Sequence, residues 1–558
     1  MLLRCFRRAF FCLGLSLGLT GATLAETGSP SPLPWVSALL AEPDQTPSFA
    51  HEVQAAAQLA AHNPLTAWQT LAAWGGWRLE VASPHLVGGA DPLVRALQRL
   101  SQASASAPML APSRRALPEP LRTAWAQQIE ALVVARSHLD EALKDVWPAG
   151  LVTEQDLRPV LLRQALHGDF QAGDPVDIRQ TVGRINRQAL AQGMGVLLQA
   201  ADHLQRTLKQ RRWPALVWQH RTPWGLIRLD TTHQARRHLV QDPLLWVSLG
   251  GDDHYRFMPR TANNPISVFM DLRGRDDYVS EHDGADPSVG FWGLGLMWDN
   301  EGPNRYQGTW LAQGAGLMGA GVLVDGSPVE GQGSHFQATG HAQAFALDGL
   351  ALLMAGDGHD LLDALTHAQG SAGPLGLAWL INAAGDDRYD LGNARVVQAS
   401  SQLADRNASM GQGAGRGWRG LGALPDTPGG MGVLVDLAGH DTYTAQVFAQ
   451  GVGFQQGLGM LVDAGGNNRH EAAWYALGAA AHQAVGVFWG SGQGKAAYKL
   501  THASGLGAAT DGSVGWFEDS GGLFDEVAAD FSRGQAMRGS FAVCKTRGQN
   551  IMKQACRR

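Results

Sequence analysis

The sequence predicts an α+β multidomain chain: a helical N-terminal domain followed by a parallel β-helix, or β-solenoid, with a period near 27 residues. Three observations carry that prediction. Gly432-Val-Leu-Val-Asp436 returns as Gly459-Met-Leu-Val-Asp463, and Gly439-His-Asp441-Thr-Tyr443 as Gly466-Asn-Asn468-Arg-His470, at an offset of 27. The same frame, Asp-x-x-Gly-x-Asp/Asn-x-Tyr, runs through most of the second half, and a fixed period of this size means that each unit stacks on its neighbours. The first half instead carries apolar residues at helical spacing. At 558 residues the chain is too long for one core, so two or three domains are expected.

Residues 1–25 read as a secretory signal peptide. Arg4, Arg7 and Arg8 make the cationic start, Ala9 to Leu19 the apolar run, and Thr23-Leu-Ala25 the small-residue cleavage site. The apolar run is short for a bilayer span, so an exported protein, periplasmic or secreted, with no transmembrane segment after cleavage is expected. Cleavage removes Cys5 and Cys12 and leaves Cys544 and Cys556, which in an oxidising compartment most simply form a disulfide. Free thiols or metal ligation are the alternatives, and no neighbouring histidine supports zinc.

Residues 26–215 read as a helical domain that caps the solenoid. Asn63-Pro64 and Asp91-Pro92 each put a capping side chain before a proline at the first helical position, and Gly75-Gly76 closes one segment. Apolar spacing predicts helices over 120–147 (Leu121, Trp125, Ile129, Leu132, Leu139) and 176–212 (Ile178, Val182, Leu190, Leu197, Leu204). These stripes read as core. Gly183, Gly193 and Gly195 weaken the last helix or mark a close helix crossing.

Residues 216–540 read as the solenoid. Val217 to Leu229 forms two short strands about a Thr-Pro-Trp-Gly turn, and the repeats follow. Counted from Asp271, the first acidic position recurs at intervals of 28, 26, 30, 27, 54, 27, 28 and 28. Because 54 is twice 27, residues 391–430 hold either an eroded coil or one large loop. A second signature, Gln313-Gly-Ala-Gly316, Gln412-Gly-Ala-Gly415 and Gln450-Gly-Val-Gly453, gives each coil a further corner. A β-propeller is the competing architecture, but its blades need about 40 residues. Residues 541–558 are a basic tail with five Lys/Arg and no acidic residue.

Charge narrows the partners. Residues 241–540 carry 15 Lys/Arg against 32 Asp/Glu, a net of −17 that argues against nucleic acid or an anionic membrane on that surface. Of those acids 26 are Asp, the residue whose short side chain bonds to backbone N–H groups in turns. Stacked coils bring equivalent turn residues to about 4.8 Å, where two carboxylates repel by roughly 3 kcal/mol at an effective dielectric near 20. The column Asp253, Asp276, Asn304, Asp387, Asp441, Asn468, Ala496 interrupts its own charge, which suits a structural ladder.

In Gly439, Asp441 and Tyr443 these turns resemble, in part, the GGxGxDxUx repeats of exported RTX proteins. They are also similar to repeats in uncharacterised exported bacterial proteins rich in GxDxY units. The RTX resemblance implies Ca²⁺ as a cofactor at Asp253, Asp276, Asp387 and Asp441. The departure is the period, nine residues in RTX repeats and near 27 here. Neither resemblance brings catalytic residues with it.

Signals for catalysis are thin. No Gly-x-Ser-x-Gly elbow is present, and Gly490-Ser-Gly-Gln-Gly-Lys495 lacks the first glycine and the Ser/Thr of a phosphate loop. His335, His341, His359 and His367 lack metalloprotease spacing and read as satisfied turn or core residues. The pairs Asp276/Asp277 and Asp386/Asp387, with Arg275, Arg305, Arg388 and Arg469, are the candidates a polysaccharide lyase or hydrolase would use. The favoured expectation is a non-catalytic binding or scaffold protein of the bacterial envelope, with a polysaccharide or another envelope component as partner. Its ligand-binding candidates are Arg406, Arg416, Trp418 and Arg419, placed in the double-length interval of a solenoid otherwise short of positive charge.

Overall fold

The computed structural model describes residues 31–81, 91–146, 157–326, 331–392, 394–420, 426–492, 494–502, 504–520, 523–527 and 534–546. The signal peptide and Cys556, and with Cys556 the expected disulfide to Cys544, lie outside the described residues.

The helices start where the chain satisfies their first N–H groups. α1 (Pro34–Ala41) and α2 (Thr46–Ala60) precede α3 (Pro64–Trp74), which is capped by the Asn63 side chain accepting from Thr66 N and closed at Gly75. Asp91 accepts from Leu93 N and Val94 N to start α4 (Pro92–Ala103). α5 (Glu119–Leu143) and α6 (Arg158–His167) follow. The final helix, α7 (Arg187–Lys209), begins eleven residues later than its apolar spacing predicts. Gly183 takes φ +86° and the Asn186 side chain caps Ala189 N, so residues 176–186 keep their apolar spacing without forming an α-helix. Gly193 marks a close crossing: a Cβ there would stand 3.2 Å from His138 Cβ of α5 and 3.1 Å from Leu294 of the solenoid.

The strand Val217–Thr222 pairs antiparallel with Gly225–Asp230 about the Thr-Pro-Trp-Gly turn. From there a parallel β-solenoid winds in three main sheets of 13, 11 and 8 strands. In the first, six-residue strands place the first acidic positions in register: Asp271, Asp299 and Asp325, then Ala355, Asn382, Asp436, Asp463, Gly490 and Asp519. The worn copy therefore aligns at Gly490, with intervals of 27 and 29 (463 to 490 to 519) in place of 28 and 28. Phe541–Thr546 adds a last strand beside Val514–Asp519, so the solenoid runs six residues into the segment read as tail.

Asn382 pairs directly with Asp436, so the double interval is one enlarged coil. That coil still supplies Arg388–Leu391, Ala408–Gly411 and Ala414–Arg416 to the side sheets; among the described residues, 394–407 and 417–420 with 426–430 are excursions from it.

The main strands are buried on both faces, which explains their unbroken apolar runs. Leu434, Leu461 and Phe488 point into the solenoid, while Val433, Val435, Met460, Val462 and Trp489 join the helical core. Each such large side chain contributes about 1.5–3 kcal/mol on burial. The helical layer lies along this face and does not cap an end. Trp74 meets Trp379 at 4.5 Å and His51 meets Trp489 at 4.7 Å. Asp348, fully buried in the solenoid, accepts from Gly183 N at 2.6 Å and from Arg187 Nη1 at 2.7 Å. The described residues from Pro32 onward form one compact unit.

The glutamine signature is the second corner. Gln313, Gln369, Gln412 and Gln450 have φ between +54° and +62°, and a left-handed glycine follows each. A Cβ at Gly413 would sit 1.9 Å from Met460 O. The glutamine amide turns inward to satisfy strand carbonyls that the corner strips of partners: Gln313 Nε2 donates to Tyr306 O at 3.1 Å and to Gln337 O, one coil on, at 2.9 Å.

Candidate functional site

The turn aspartates form a ladder of side-chain to backbone bonds. Arg236 N donates to Asp253 Oδ1 (2.6 Å), Asp253 N to Asp276 Oδ1 (2.6 Å) and Asp276 N to Asn304 Oδ1 (2.9 Å). The chain continues through Asn304 N to Ser334 Oγ and Ser334 N to Asp360 Oδ1. It then runs from Asp360 N to Asp387, Asp387 N to Asp441 and Asp441 N to Asn468, at 2.6, 2.8 and 2.8 Å. Asparagine and serine accept the same bond without charge, so they fit wherever the column allows.

A second column supplies hydroxyls. Tyr278 donates to Asp299 (2.5 Å), Tyr306 to Asp325 (2.7 Å) and Tyr389 to Asp436 (2.7 Å), while Tyr255 bridges Asp253 and Asp271. The rings stack coil on coil, Tyr389 on Tyr443 at 4.7 Å and Tyr306 on Phe336 at 4.8 Å. Where the acceptor is lost at Ala355, the ring above it is Phe336, which has no hydroxyl to strand.

The four aspartates named as metal ligands fall into two buried triads, Asp253/Asp271/Asp276 and Asp387/Asp436/Asp441, with one oxygen of each residue within 4.8 Å of the others. Burial, then neighbouring carboxyls, push Asp276 up to about 10; burial pushes Asp271, Asp387 and Asp441 up to about 8. Ca²⁺ takes six to eight oxygens. Here tyrosine and backbone donors already occupy most of the carboxylate oxygens, leaving Asp276 Oδ2 in one triad and Asp387 Oδ2 and Asp441 Oδ2 in the other. That donor set suits protons shared between carboxyls and does not fit a Ca²⁺ cage.

The second excursion of the enlarged coil makes a groove. Trp418 N and Thr427 N each donate to the other's carbonyl, closing the excursion over the next two coils. The result is a cavity of about 260 Å³ lined by Trp418, Arg419, Asp426, Thr427, Gln455 and residues one coil further on. With its amide turned to suit both partners, Gln455 donates to Gly417 O at 2.7 Å and accepts from Arg419 Nε at 3.0 Å. Arg419 Nη2 reaches the His482 ring at 3.1 Å, and His482 Nδ1 stands 3.0 Å from Asp511, which Arg538 holds at 2.9 Å. An indole wall beside fixed amides, a guanidinium and carboxylates is the chemistry that takes a polar ring with many hydroxyls.

Of the four ligand candidates, the structure brings Trp418 and Arg419 together. Arg406 lies in the first excursion and donates to Gln446 Oε1 at 2.6 Å. Arg416 is half-buried and outside the groove lining. The sequence reading missed Gln455, Gln456, His482 and Gln483. The repeat itself could have found them, because 455 and 482 differ by one period. The carboxyl pairs do not converge: Asp276 and Asp387 face inward, Asp277 pairs with His254 at 2.9 Å, and Asp386 accepts from His440 N at 2.8 Å. Arg305, Arg388 and Arg469 share one register position on the second sheet, and Arg388 is tied to Asp390 at 2.6 Å. Among the described residues no helix is long and apolar enough to cross a membrane.

Comparison of the chain with protein-family models, with curated proteins and with solved structures returned no match.

Proposed function

We propose that the chain is an exported, non-catalytic binding or scaffold protein of the bacterial envelope, in which the solenoid is a rigid frame and the enlarged coil holds a polysaccharide in the Trp418 groove. On this reading residues 1–25 are removed on export and Cys544 pairs with Cys556 in the mature chain. The observation that carries it is the groove, where Trp418 and Arg419 stand over a shelf of Gln455, Gln456, His482 and Gln483 supplied by two successive coils. A long excursion from a rigid scaffold is where binding groups gather. The carboxyls with the most displaced proton affinities lie sealed in the ladder, which favours binding over bond cleavage.

The test is a glycan and peptidoglycan binding screen on residues 26–558, with product analysis in the same incubations. Trp418→Ala and Arg419→Ala should each weaken capture at least tenfold while the melting temperature stays within about 2 °C of wild type. Undiminished capture by both variants refutes the groove. Cleaved chains in the wild-type incubation, absent with Asp386→Asn, would establish the lyase or hydrolase reading in its place.

A further inference from the structure

The third sheet turns one corner of the coils, and its register stacks the residues at that corner into a column along the solenoid. The column begins under the helical side. Thr181 Oγ1 donates to Met318 Sδ at 3.6 Å, Asp348 accepts from Gly183 N and Arg187 Nη1, and Arg187 Nη1 also donates to Leu375 O at 3.4 Å. In the enlarged coil the Trp418 excursion takes the place of the corner. It leaves at Gly417, whose N donates to Phe454 O at 3.1 Å, and returns at Gly429, whose N donates to Gln456 O at 3.2 Å. Beyond it the same corner carries Gln455, His482, Asp511 and Arg538, all of them half-buried or exposed.

These polar groups touch from coil to coil. Arg419 Nη2 meets the His482 ring at 3.1 Å, His482 Nδ1 meets Asp511 at 3.0 Å, and Arg538 donates to Asp511 at 2.9 Å. Beside them Gln456 Nε2 donates to Gln483 Oε1 at 3.2 Å. Neighbouring strands lie about 4.8 Å apart, so the three steps from Gln455 through His482 and Asp511 to Arg538 span about 14 Å. The charges along the column cancel: Asp426 and Asp511 stand against Arg419 and Arg538. Burial, then Arg419, lowers the proton affinity of His482, so its ring stays neutral.

A β-linked chain of pyranose rings is extended and repeats at close to the spacing of the coils, and its hydroxyls pair with amides, carboxylates and guanidiniums alike. We propose that the column is a track for a neutral, linear, β-linked glycan laid lengthwise along the solenoid. Its terminal ring stops against Trp418, and the rings that follow lie over His482, Asp511 and Arg538. The excursion, with the helices behind it, blocks the column on one side, so the chain is taken by an end. This rests on the reading of the Trp418 groove as a glycan site, and adds to it a substrate class, a direction and room for about three or four rings.

The experiment titrates residues 26–558 by calorimetry with β-1,4-linked glucose and N-acetylglucosamine oligomers of one to six units. In at least one series affinity should rise at least tenfold from one unit to four and level off beyond. A fluorophore on one end of the tetramer should abolish binding, and on the other end leave it. A β-1,4-linked mannuronate tetramer, the charged counterpart, should bind at least tenfold more weakly. Arg538→Ala should remove most of the gain from the third and fourth units, whereas Trp418→Ala should weaken every length. Affinity that is flat with length, or a gain that survives Arg538→Ala, overturns the track; if Trp418→Ala still weakens binding, the groove stands without it. Binding at all lengths that survives Trp418→Ala overturns both. Tighter binding of the mannuronate overturns the neutral class, and tolerance of the fluorophore at both ends overturns the terminal stop. If no oligomer binds, the track falls, and polysaccharide capture by wild type against Trp418→Ala decides the groove.

Discussion

Raising the pH from 5 to 8 should destabilise the solenoid. In the folded chain burial holds Asp271, Asp387 and Asp441 protonated up to about 8 and Asp276 up to about 10, whereas the unfolded chain releases these protons near its ordinary value of 3.8. Above about pH 4 folding therefore takes up protons, and stability falls as pH rises until the folded groups ionise in turn. Protons are shared within each triad, so one retained proton per triad is the conservative count. Two protons give a slope of about 2.7 kcal/mol per pH unit and a loss of about 8 kcal/mol between pH 5 and pH 8. At about 2.1 cal/mol/K per residue over about 500 residues, that loss lowers the melting temperature by roughly 8 °C. Scanning calorimetry at half-unit steps of pH, with chelator present, measures it directly. Asp387→Asn should flatten the slope by about one proton, because an amide keeps the acceptor for Asp360 N and has nothing to titrate. A melting temperature that is level or rising from pH 5 to 8 refutes the shared-proton ladder. A fall in melting temperature caused by the chelator alone would restore Ca²⁺.

Two further outcomes follow from single contacts. Asp348→Ala leaves Arg187 and Gly183 N without their acceptor at the junction of helices and solenoid; Arg187 keeps 18% of its side chain exposed, so the loss should be near the low end for a broken buried pair, about 3 kcal/mol. A loss below about 1 kcal/mol by chemical denaturation would mean that the junction does not depend on this pair. Gly439→Val should prevent soluble expression, since its Cβ would lie 1.5 Å from Gly385 O at φ +153°, whereas Asp441→Asn should melt within about 3 °C of wild type at pH 7. Equal damage from both would contradict the ladder.

The period was legible because two stacked columns repeat it independently: an acceptor at positions such as Asp436 and Asp463, and a ring at Tyr443 and His470. What masked the rest is physical. Residues 176–186 carry helical spacing, but one left-handed glycine and one capping asparagine outweigh it. The place of the helical layer was written in runs such as Met431 to Val435, where an alternating strand would have announced an open face. The enlarged coil pointed to Trp418 and Arg419, yet charge alone could not separate them from Arg406, already held by Gln446, or from Arg416, which lies outside the groove lining. The rest of the groove wall belongs to neighbouring coils. It becomes visible only once the register is known.

The helical layer changes how the repeat array can fail. In a bare stack each coil touches two neighbours, so the ends fray and the middle can melt while both flanks persist. Here the helical region touches strands far apart along the stack: Leu294 through Gly193, Trp379 through Trp74 and Trp489 through His51. Coils separated by nearly two hundred residues thus share a single splint. Losing one coil costs contacts at all the others, and the array should melt as a unit, its terminal turns protected from hydrogen exchange almost as well as its centre.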